Sequence, residues 1–312
     1  MTGKQLGKRI VQILIVLIGI SFFTFMLTYL APGDPVRTMY AASGTMPSEE
    51  VLQAAREELG LNDPILVQYG HWLTNCLHGD FGKSYSTGKP VAELLLARLW
   101  PTLKLALCAM VLMLIVSVPL GMLSAVYRNK PIDYIVRGFT FFGISMPNFW
   151  VGLLLMYFIC IVLGWLPVVS TGIGLKKIIL PAVTLAFAMS SKYTRQVRTA
   201  VLEEMHQDYV TGARARGASE REILWKQVFP NSLLPLITMF GLSLGSLLGG
   251  TAVVEVIFSY QGLGNLAVSA ITSYDYNLIQ GYVLWVALIY MVVNLIVDIS
   301  YYWVDPRIRV KR

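Results

Sequence analysis

The feature that most constrains this chain is a series of long segments without a charged residue. An α-helix rises about 1.5 Å per residue, so about 20 apolar residues are needed to cross the roughly 30 Å hydrocarbon layer of a membrane. Five uncharged runs reach that length: Ile10–Leu30, Leu105–Tyr127, Phe139–Leu166, Val228–Val254 and Asn277–Val297. The sequence therefore predicts an all-α, polytopic membrane protein.

A further predicted span, the fourth in chain order, is shorter and depends on its basic neighbours. The uncharged run Ile178–Ser191 is followed at once by Lys192, and Arg195 and Arg198 come soon after. Such a helix spans the membrane only if it continues through these residues, whose long side chains can place their charges among the headgroups. With this helix included, we expect about six transmembrane helices.

The charged residues indicate how the predicted helices are oriented. They make up only 14% of the chain, whereas soluble proteins carry about 25%. If successive loops alternate between the two sides, 17 of the 25 lysines and arginines fall on the side of both termini. Basic loops stay in the cytoplasm, so both termini are predicted to be cytoplasmic. This distribution accounts for the net charge of +7 without a nucleic-acid partner.

The chain divides into three parts on this interpretation. Residues 1–30 form a cytoplasmic N-terminus and an uncleaved first helix, since its apolar run exceeds the 7–15 residues of a signal peptide core. Residues 31–98 form an external segment with a helix between Ser48 and Gly60 and a second over Ile65–Leu77. Residues 99–312 form the membrane core, with a cytoplasmic loop at 199–229.

That cytoplasmic loop has an unusual composition. Small residues from Gly212 to Ala218 alternate with arginines, and Ser219 then opens a new amphipathic stretch. The pattern predicts two helices joined by a tight turn, with Gly217 in a left-handed conformation. Small side chains allow a short helix to lie closely in a groove of another protein. We therefore interpret the loop as a docking element rather than as a simple connection.

The order of residues in this loop resembles the membrane subunits of ABC importers. The matching residues are Asp208-Tyr209-Val210, Ala213-Arg214-Ala215, Gly217, Ile223, Pro230-Asn231 and Pro235. The general family pattern has an acid where this chain has Thr211, a departure that is typical of the branch for peptides and nickel. The same branch is suggested by Gly33-Asp34-Pro35, Asp80–Ser84, Ser145–Trp150, Glu255 with Phe258, Gly262-Leu263-Gly264, Asp298 and Asp305–Arg309.

The resemblance implies a type I ABC importer permease fold in a bacterial inner membrane. It implies a second homologous permease, two cytoplasmic ATPase subunits and an extracytoplasmic binding protein as partners, with transport by alternating access. The chain is then a transport subunit and not an enzyme. It has no phosphate-binding loop of its own, so ATP and Mg²⁺ are expected on the partner ATPases. The expected ATPase contacts are Tyr209, Thr211, Gly212, Ala213, Arg214, Ala215, Arg216, Gly217, Ala218 and Pro230.

Other residues are candidates for a substrate path or a metal contact. Met146, Asn148, Gly249 and Glu255 are assigned to the substrate path, because polar or small residues within apolar helices often mark one. Asp298 is expected to form a structural pair, and Pro147 a helix kink or hinge. No metal site is expected. The three residues considered for a nickel contact are His71, Cys76 and His78, and their spacing does not match a known ligand pattern.

Two other classes of protein are alternatives to a permease subunit. A membrane-embedded enzyme would need catalytic motifs that the sequence lacks. An ion-coupled carrier or channel without an ATPase is the main alternative, since its signatures are weak in sequence. Peptides and nickel or metal complexes both stay open as substrates. The short linker Val168–Lys177 and the run Ser145–Trp150 favour the metal complexes slightly.

Overall fold

The computed structural model describes residues 3–42, 44–45, 47–167 and 174–304 of the chain. Within these residues all regular structure is helical, apart from one isolated β-bridge between Lys83 and Pro90. The helices are α1 Gly3–Leu30, α2 Pro35–Ala42, α3 Glu49–Glu58, α4 Ile65–Leu77, α5 Val91–Val126, α6 Pro131–Ser145, α7 Asn148–Leu155, α8 Leu175–Met205, α9 Asp208–Ala215, α10 Glu220–Ile223, α11 Phe229–Gly250, α12 Ala252–Ile257, α13 Leu263–Thr272 and α14 Tyr276–Val304.

The chain forms two compact units, here called the first and the second unit. The first comprises Met1–Thr102, Leu248–Ala252 and Gln261–Val292. The second comprises Leu103–Leu247 and Val253–Tyr260, and it also includes the chain from Val293 onward. Four helices, α5, α11, α12 and α14, contribute residues to both units.

The first unit contains the external segment, whose two predicted helices are confirmed. Helix α3 ends before Gly60, which has a φ of +65°, and α4 has the predicted bounds. Ser48 occupies the N-cap position of α3, but its side chain forms no capping hydrogen bond. Glu49 and Glu50 instead provide negative charge at the positive end of the helix dipole.

A small apolar core joins the remaining helices of the first unit. Val91 and Leu95 of α5 are completely buried against Leu263 of α13 and Leu278 of α14. The backbone N–H of Leu263 also donates a hydrogen bond of 2.7 Å to the Thr102 hydroxyl. Helix α13 is thereby fixed to the N-terminal half of α5 by both apolar and polar contacts.

The second unit is organised around α8, which continues through its basic residues as predicted. The helix runs without interruption past Lys192, Arg195 and Arg198 to Met205. Pro181 lies inside the helix, where it has no N–H to donate to the carbonyl of Lys177. The core around α8 contains Met122 of α5 and Leu236 of α11.

The predicted third span is not one continuous helix. Helices α6 and α7 meet at an angle of 102°, and α7 continues as a π-helix over Met156–Val162. Proline disfavours helical geometry in the residue before it, and Met146 accordingly takes an extended conformation with φ −88° and ψ 129° before Pro147. The kink expected at Pro147 is therefore a complete break.

Helix length and composition give a lower count of spans than the sequence did. Among the described residues, Gly7–Leu30, Val91–Val126 and Tyr276–Ile299 are long and apolar enough to cross a membrane. The broken pair α6–α7 makes a fourth if it counts as one span. The run Val228–Val254 divides at Thr251 into α11 and α12. Six spans and the orientation of the termini therefore stay predictions.

Candidate functional site

The candidate docking loop has the predicted form of a helix, a glycine turn and a second helix. Helix α9 is seated by Val210 and Ala213, which are 0% and 1% exposed. Both belong to the same apolar cluster as Val197 and Val201 of α8. The two buried positions are three apart, so they lie on one face of α9 and leave the opposite face outside the core.

A Schellman motif ends α9 at Gly217. The N–H of Gly217 donates to the carbonyl of Arg214 at 2.9 Å, and the N–H of Ala218 donates to that of Ala213 at 3.2 Å. Gly217 has a φ of +81°, which L-residues rarely adopt. The turn favours glycine for this reason.

The outer face of α9 combines small side chains with arginine. Thr211, Ala215 and Arg216 are exposed, and Gly217 is exposed beyond them. Among the ion pairs of the described residues, none includes Arg216. A partner can therefore approach the backbone of α9 closely and still meet an available guanidinium group.

Arg214 has a partner across the turn that the sequence did not predict. Its Nε and Nη2 donate to the two carboxylate oxygens of Glu220 at 2.6 and 3.0 Å. The hydrogen bond to Arg214 lowers the pKa of Glu220, and the same contact raises the pKa of Arg214. The sequence does contain a signal for this pair, since two opposite charges lie six residues apart on either side of a glycine turn.

The second helix of the loop has its own cap. The Ser219 hydroxyl accepts a hydrogen bond from the N–H of Glu222 at 3.3 Å, as expected for a serine that opens a helix. The chain then forms a π-helix over Leu224–Val228 before α11. Pro230 is exposed in the first turn of α11, and the Asn231 amide donates to the carbonyl of Gln227 at 2.9 Å.

Tyr209 fixes the start of the loop. Its hydroxyl donates to a carboxylate oxygen of Glu204 at 2.6 Å, and its ring packs beside the apolar cluster of the second unit. Gly212 is half-buried, with space for a methyl group except near Arg216. Ala218 packs against the same cluster as Tyr209. The candidate contacts thus divide into residues that seat the loop and residues that face outward.

The four substrate-path candidates lie in different parts of the chain. Met146 is half-buried at the break between α6 and α7, and Asn148 is exposed at the start of α7. Glu255 is completely buried in the first turn of α12. These three belong to the second unit, whereas Gly249, which is exposed, belongs to the first. Their role in a substrate path stays a prediction.

The residues considered for a metal contact do not form a ligand set. No group of three or more His, Cys, Asp or Glu that could hold a metal occurs among the described residues. His71 and His78 are exposed, and the His78 ring is engaged with the carbonyl of Thr74 at 2.8 Å. Burial, with a smaller effect of Asp80, raises the pKa of Cys76 to about 12, so the metal-binding thiolate form is disfavoured.

Some sequence features lie outside the described residues. They include most of the linker Val168–Lys177 and the C-terminal run Asp305–Arg309. Asp298 is half-buried in α14.

Comparisons with known proteins match nearly the whole chain. The profile of the family described as "Binding-protein-dependent transport system inner membrane component" matches residues 117–310. The profile of the corresponding N-terminal family, "Binding-prot-dependent transport system membrane comp, N-term", matches residues 3–106. Together the two matches cover most of the sequence.

Several curated proteins are similar to this chain over nearly their whole length. A probable D,D-dipeptide transport system permease protein of Escherichia coli is 37% identical, with 97% of this chain and 96% of the relative covered. An oligopeptide transport system permease protein of Bacillus subtilis is 40% identical, with 96% and 98% covered. A glutathione transport system permease protein of Salmonella typhimurium is 36% identical, with 97% and 98% covered.

Solved structures share the fold at lower identity. A chain of a methionine ABC transporter in an inward-facing conformation matches with a TM-score of 0.59 and 21% identity, covering 68% of this chain and 96% of that one. A chain of an amino acid ABC transporter matches with a TM-score of 0.52 and 19% identity, covering 69% and 94%. These matches show a common fold.

Proposed function

This chain belongs to the family of binding-protein-dependent transport system inner membrane components, and from that premise we propose that it is one half of the pore of a peptide importer driven by ATP. It is a multi-pass protein of a bacterial inner membrane and a transport subunit rather than an enzyme. In the proposed assembly it pairs with a second homologous permease. Two cytoplasmic ATPase subunits hold ATP and Mg²⁺, and an extracytoplasmic binding protein delivers the substrate.

The observation that carries this proposal is the geometry of α9. Its inner face is fixed in the apolar cluster through Val210 and Ala213, and its outer face presents small residues and Arg216. A groove on an ATPase can accept such a helix closely, because few side chains stand between the two backbones. The turn at Gly217 ends the helix at a defined position, and the Arg214–Glu220 pair spans that turn.

A rigid docking helix can transmit movement to the membrane helices. Val210 and Ala213 of α9 share a packed core with Val197 and Val201 of α8, and close-packed cores transmit displacement rather than absorb it. When the ATPases close on ATP, they would move α9 and with it α8. Alternating access then follows if these displacements favour one of two arrangements of the pore.

Peptides are the proposed substrates. The similar proteins described above carry names that refer to dipeptides, oligopeptides and glutathione, all of which are peptides or peptide-like. The slight sequence preference for metal complexes rested partly on the linker Val168–Lys177, most of which lies outside the described residues. The outer residues His71, Cys76 and His78 provide no ligand set in its favour.

The sharpest test replaces Gly217 by alanine and compares this variant with the same substitution at a matched glycine, Gly79. Gly79 ends α4 in the same motif and has a φ of +83°. Its N–H donates to the carbonyl of Cys76, and the N–H of Asp80 donates to the carbonyl of Asn75. No atom lies within 4 Å of a methyl group added at Gly79. Gly217 also has no atom within that distance. The two substitutions therefore impose similar backbone strain, in the proposed docking loop and in the external segment respectively.

We expect wild type and Gly79→Ala to copurify with ATPase subunits from native membranes and to support peptide-stimulated ATP hydrolysis. Gly217→Ala should lose the ATPase subunits or the stimulation, while its melting temperature changes as much as that of Gly79→Ala. If no ATPase accompanies the wild type, and peptide uptake follows an ion gradient, the carrier alternative replaces this proposal.

A further inference from the structure

A cavity of about 920 Å³ in the second unit lies beside α6 and α8 and is lined by arginines. Its basic residues are Arg128, Arg137, Arg195 and Arg198, and no acidic side chain is part of the lining. Arg198 is neutralised by Asp133 from outside the lining. Three arginines with no carboxylate partner in the described part of the chain therefore line one cavity beside α8, the helix that precedes the docking loop in the chain.

The remaining three arginines have little to compensate their charge. Arg137 lies over the ring of Tyr134, with 5.7 Å between its guanidinium carbon and the ring centroid. Arg128 lies 3.4 Å from a ring nitrogen of His206. Among the ion pairs of the described residues, none includes Arg128, Arg137 or Arg195. A guanidinium group presents N–H donors that match the oxygens of a phosphate.

A buried hydroxyl provides a second, independent sign of a ligand. Thr194 lines the cavity and is 1% exposed, and its Oγ1 has no hydrogen-bond partner among the described residues. Buried hydroxyl groups in proteins almost always have a partner. The Oγ1 of Thr194 is enclosed, so a phosphate oxygen in the cavity would accept the missing hydrogen bond once the side chain rotates toward it. Snorkelling arginines alone would leave this hydroxyl unexplained.

Apolar side chains beside the arginines indicate what carries the phosphate. Phe141 and Ile144 line the same cavity and are 77% and 45% exposed. A free phosphate or a small phosphorylated metabolite would gain nothing from them, whereas the acyl chains of a lipid would cover them. Basic pockets next to membrane helices on the cytoplasmic side are also suited to anionic headgroups.

We propose that this cavity binds the phosphate headgroup of an anionic phospholipid and thereby couples lipid composition to transport. Its location among the cytoplasmic headgroups rests on the proposed function. A bound headgroup would join Arg137 of α6 to Arg195 of α8, and α8 carries the residues against which α9 packs. Occupancy of the cavity would therefore stiffen the path from the docking helix into the membrane.

The test compares how much phospholipid the wild type and two variants retain. Each full-length protein is purified with the subunits that accompany it and placed in nanodiscs of phosphatidylcholine with an increasing fraction of phosphatidylglycerol. Native mass spectrometry then counts the bound phosphatidylglycerol. The variants are Arg137→Gln/Arg195→Gln and a control, Lys130→Gln/Lys192→Gln, which removes equal charge from exposed residues near the same helices but outside the cavity lining. This binding measurement does not depend on an ATPase, so it can fail or succeed independently of the proposed function.

We expect the double arginine variant to bind phosphatidylglycerol at least about tenfold more weakly, because it removes two guanidinium groups that donate charge-assisted hydrogen bonds to the phosphate. The lysine control should bind as the wild type does. Thr194→Val should weaken binding about tenfold without lowering the melting temperature, because its hydroxyl has no protein partner to lose. A purely structural threonine would show the opposite pattern.

Three results would overturn the proposal. The first is equal retention of phosphatidylglycerol by the wild type and the double arginine variant. The second is an equal loss in the lysine control, which would indicate unspecific attraction. The third is saturable binding of radiolabelled inorganic phosphate in pure phosphatidylcholine that Arg137→Gln/Arg195→Gln abolishes while phosphatidylglycerol is not retained. That result would assign the site to a soluble anion.

Discussion

Asp133 of α6 is completely buried, and its two carboxylate oxygens accept hydrogen bonds from Nε and Nη2 of Arg198 of α8, each at 2.8 Å. The same carboxylate accepts a hydrogen bond of 2.5 Å from the Ser124 hydroxyl and one of 3.0 Å from the backbone of Asn129. One acidic group thus connects α5, α6 and α8. The arrangement explains how a charge can be kept at the edge of an apolar core.

Removing Asp133 should destabilise the second unit strongly. Asp133→Ala leaves the mostly buried guanidinium of Arg198 without its partner, and we expect a loss of about 3–5 kcal/mol in the free energy of unfolding. The double replacement Asp133→Leu/Arg198→Met should cost less than the single one, because no unpaired charge is left. Thermal unfolding of the purified protein in detergent measures both. Glu203→Ala, an exposed change on α8, should alter stability by less than about 0.5 kcal/mol.

A similar prediction concerns Asp275 in the first unit. One of its carboxylate oxygens accepts hydrogen bonds from the hydroxyls of Ser84 and Ser86, at 2.6 and 2.8 Å, and from the N–H of Ser86. The other accepts from the N–H of Leu278 at 3.3 Å and caps α14. Asp275→Ala should cost about 3 kcal/mol, since it removes a cap and several hydrogen bonds to a charged group.

Hydrogen–deuterium exchange offers the more specific readout of that change. Exchange should accelerate at the amides of residues 84–89 and 91 in Asp275→Ala, because the segment loses the three hydrogen bonds that it donates to Asp275. Thr272→Ala is a suitable control, since that hydroxyl contacts only carbonyls of its own helix. Unchanged protection of the segment in Asp275→Ala would contradict the prediction.

Local chemistry explains what could be predicted from the sequence. The turns after α3 and α9 were predicted because Gly60 and Gly217 follow helical patterns, and helix ends depend on nearby residues. The continuation of α8 through Lys192 followed from the length needed to cross a membrane. The helix–turn–helix form of the candidate site could also be predicted from residues close in sequence. Its role in docking stays a prediction.

Contacts between distant residues could not be predicted. Asp133 and Arg198 are 65 positions apart, and Ser84 and Asp275 are 191 apart. A single sequence shows that these side chains are polar, but not which helices pack together or in which register. The angle of 102° between α6 and α7 was missed for a similar reason, since a proline predicts a kink without fixing its size.

The reactivity of Cys76 should reflect its environment. Burial is the main cause that raises its pKa from 9.0 to about 12, with a smaller contribution from the negative charge of Asp80. At pH 8 the thiolate fraction is then about 1000-fold lower than for an ordinary cysteine. Alkylation by iodoacetamide should be slower by a similar factor, as measured by peptide mass spectrometry against the unfolded protein. Equal rates in the folded and unfolded protein would show that the thiol is accessible and ionised.

The pair Asp34–Arg56 should make the external segment sensitive to acid. Burial acts to raise the pKa of Asp34, but hydrogen bonds from Arg56 and the backbone of Val36 outweigh it and lower the pKa below 3.8. A carboxylate with a lowered pKa stabilises the fold above its unfolded pKa, and this contribution is lost as the pH falls through the folded value. Arg56→Gln should therefore reduce stability at pH 7. The difference from the wild type should disappear at lower pH, once Asp34 is protonated in both proteins.

Close packing of α5 on α8 depends on the absence of a side chain at Gly121. A methyl group there would lie 2.6 Å from Cβ of Val197 and 2.8 Å from the carbonyl oxygen of Thr194. The carbonyl belongs to the backbone and cannot turn aside, so Gly121→Ala must separate the two helices. Overpacking of this kind typically costs about 1–3 kcal/mol. Gly138→Ala is the matched control, because Gly138 is helical and exposed, with no atom within 4 Å of the added group.

The control should be neutral or slightly stabilising, by up to about 1 kcal/mol, since alanine favours a helix more than glycine does. If Gly121→Ala lowers the melting temperature while Gly138→Ala raises it, the close approach of the two helices lies at Gly121. Because Val197 also packs in the cluster that seats α9, Gly121→Ala should in addition weaken ATPase stimulation by substrate. Gly138→Ala should leave it intact. If both variants unfold at the same temperature as the wild type, α5 and α8 do not approach each other closely at Gly121.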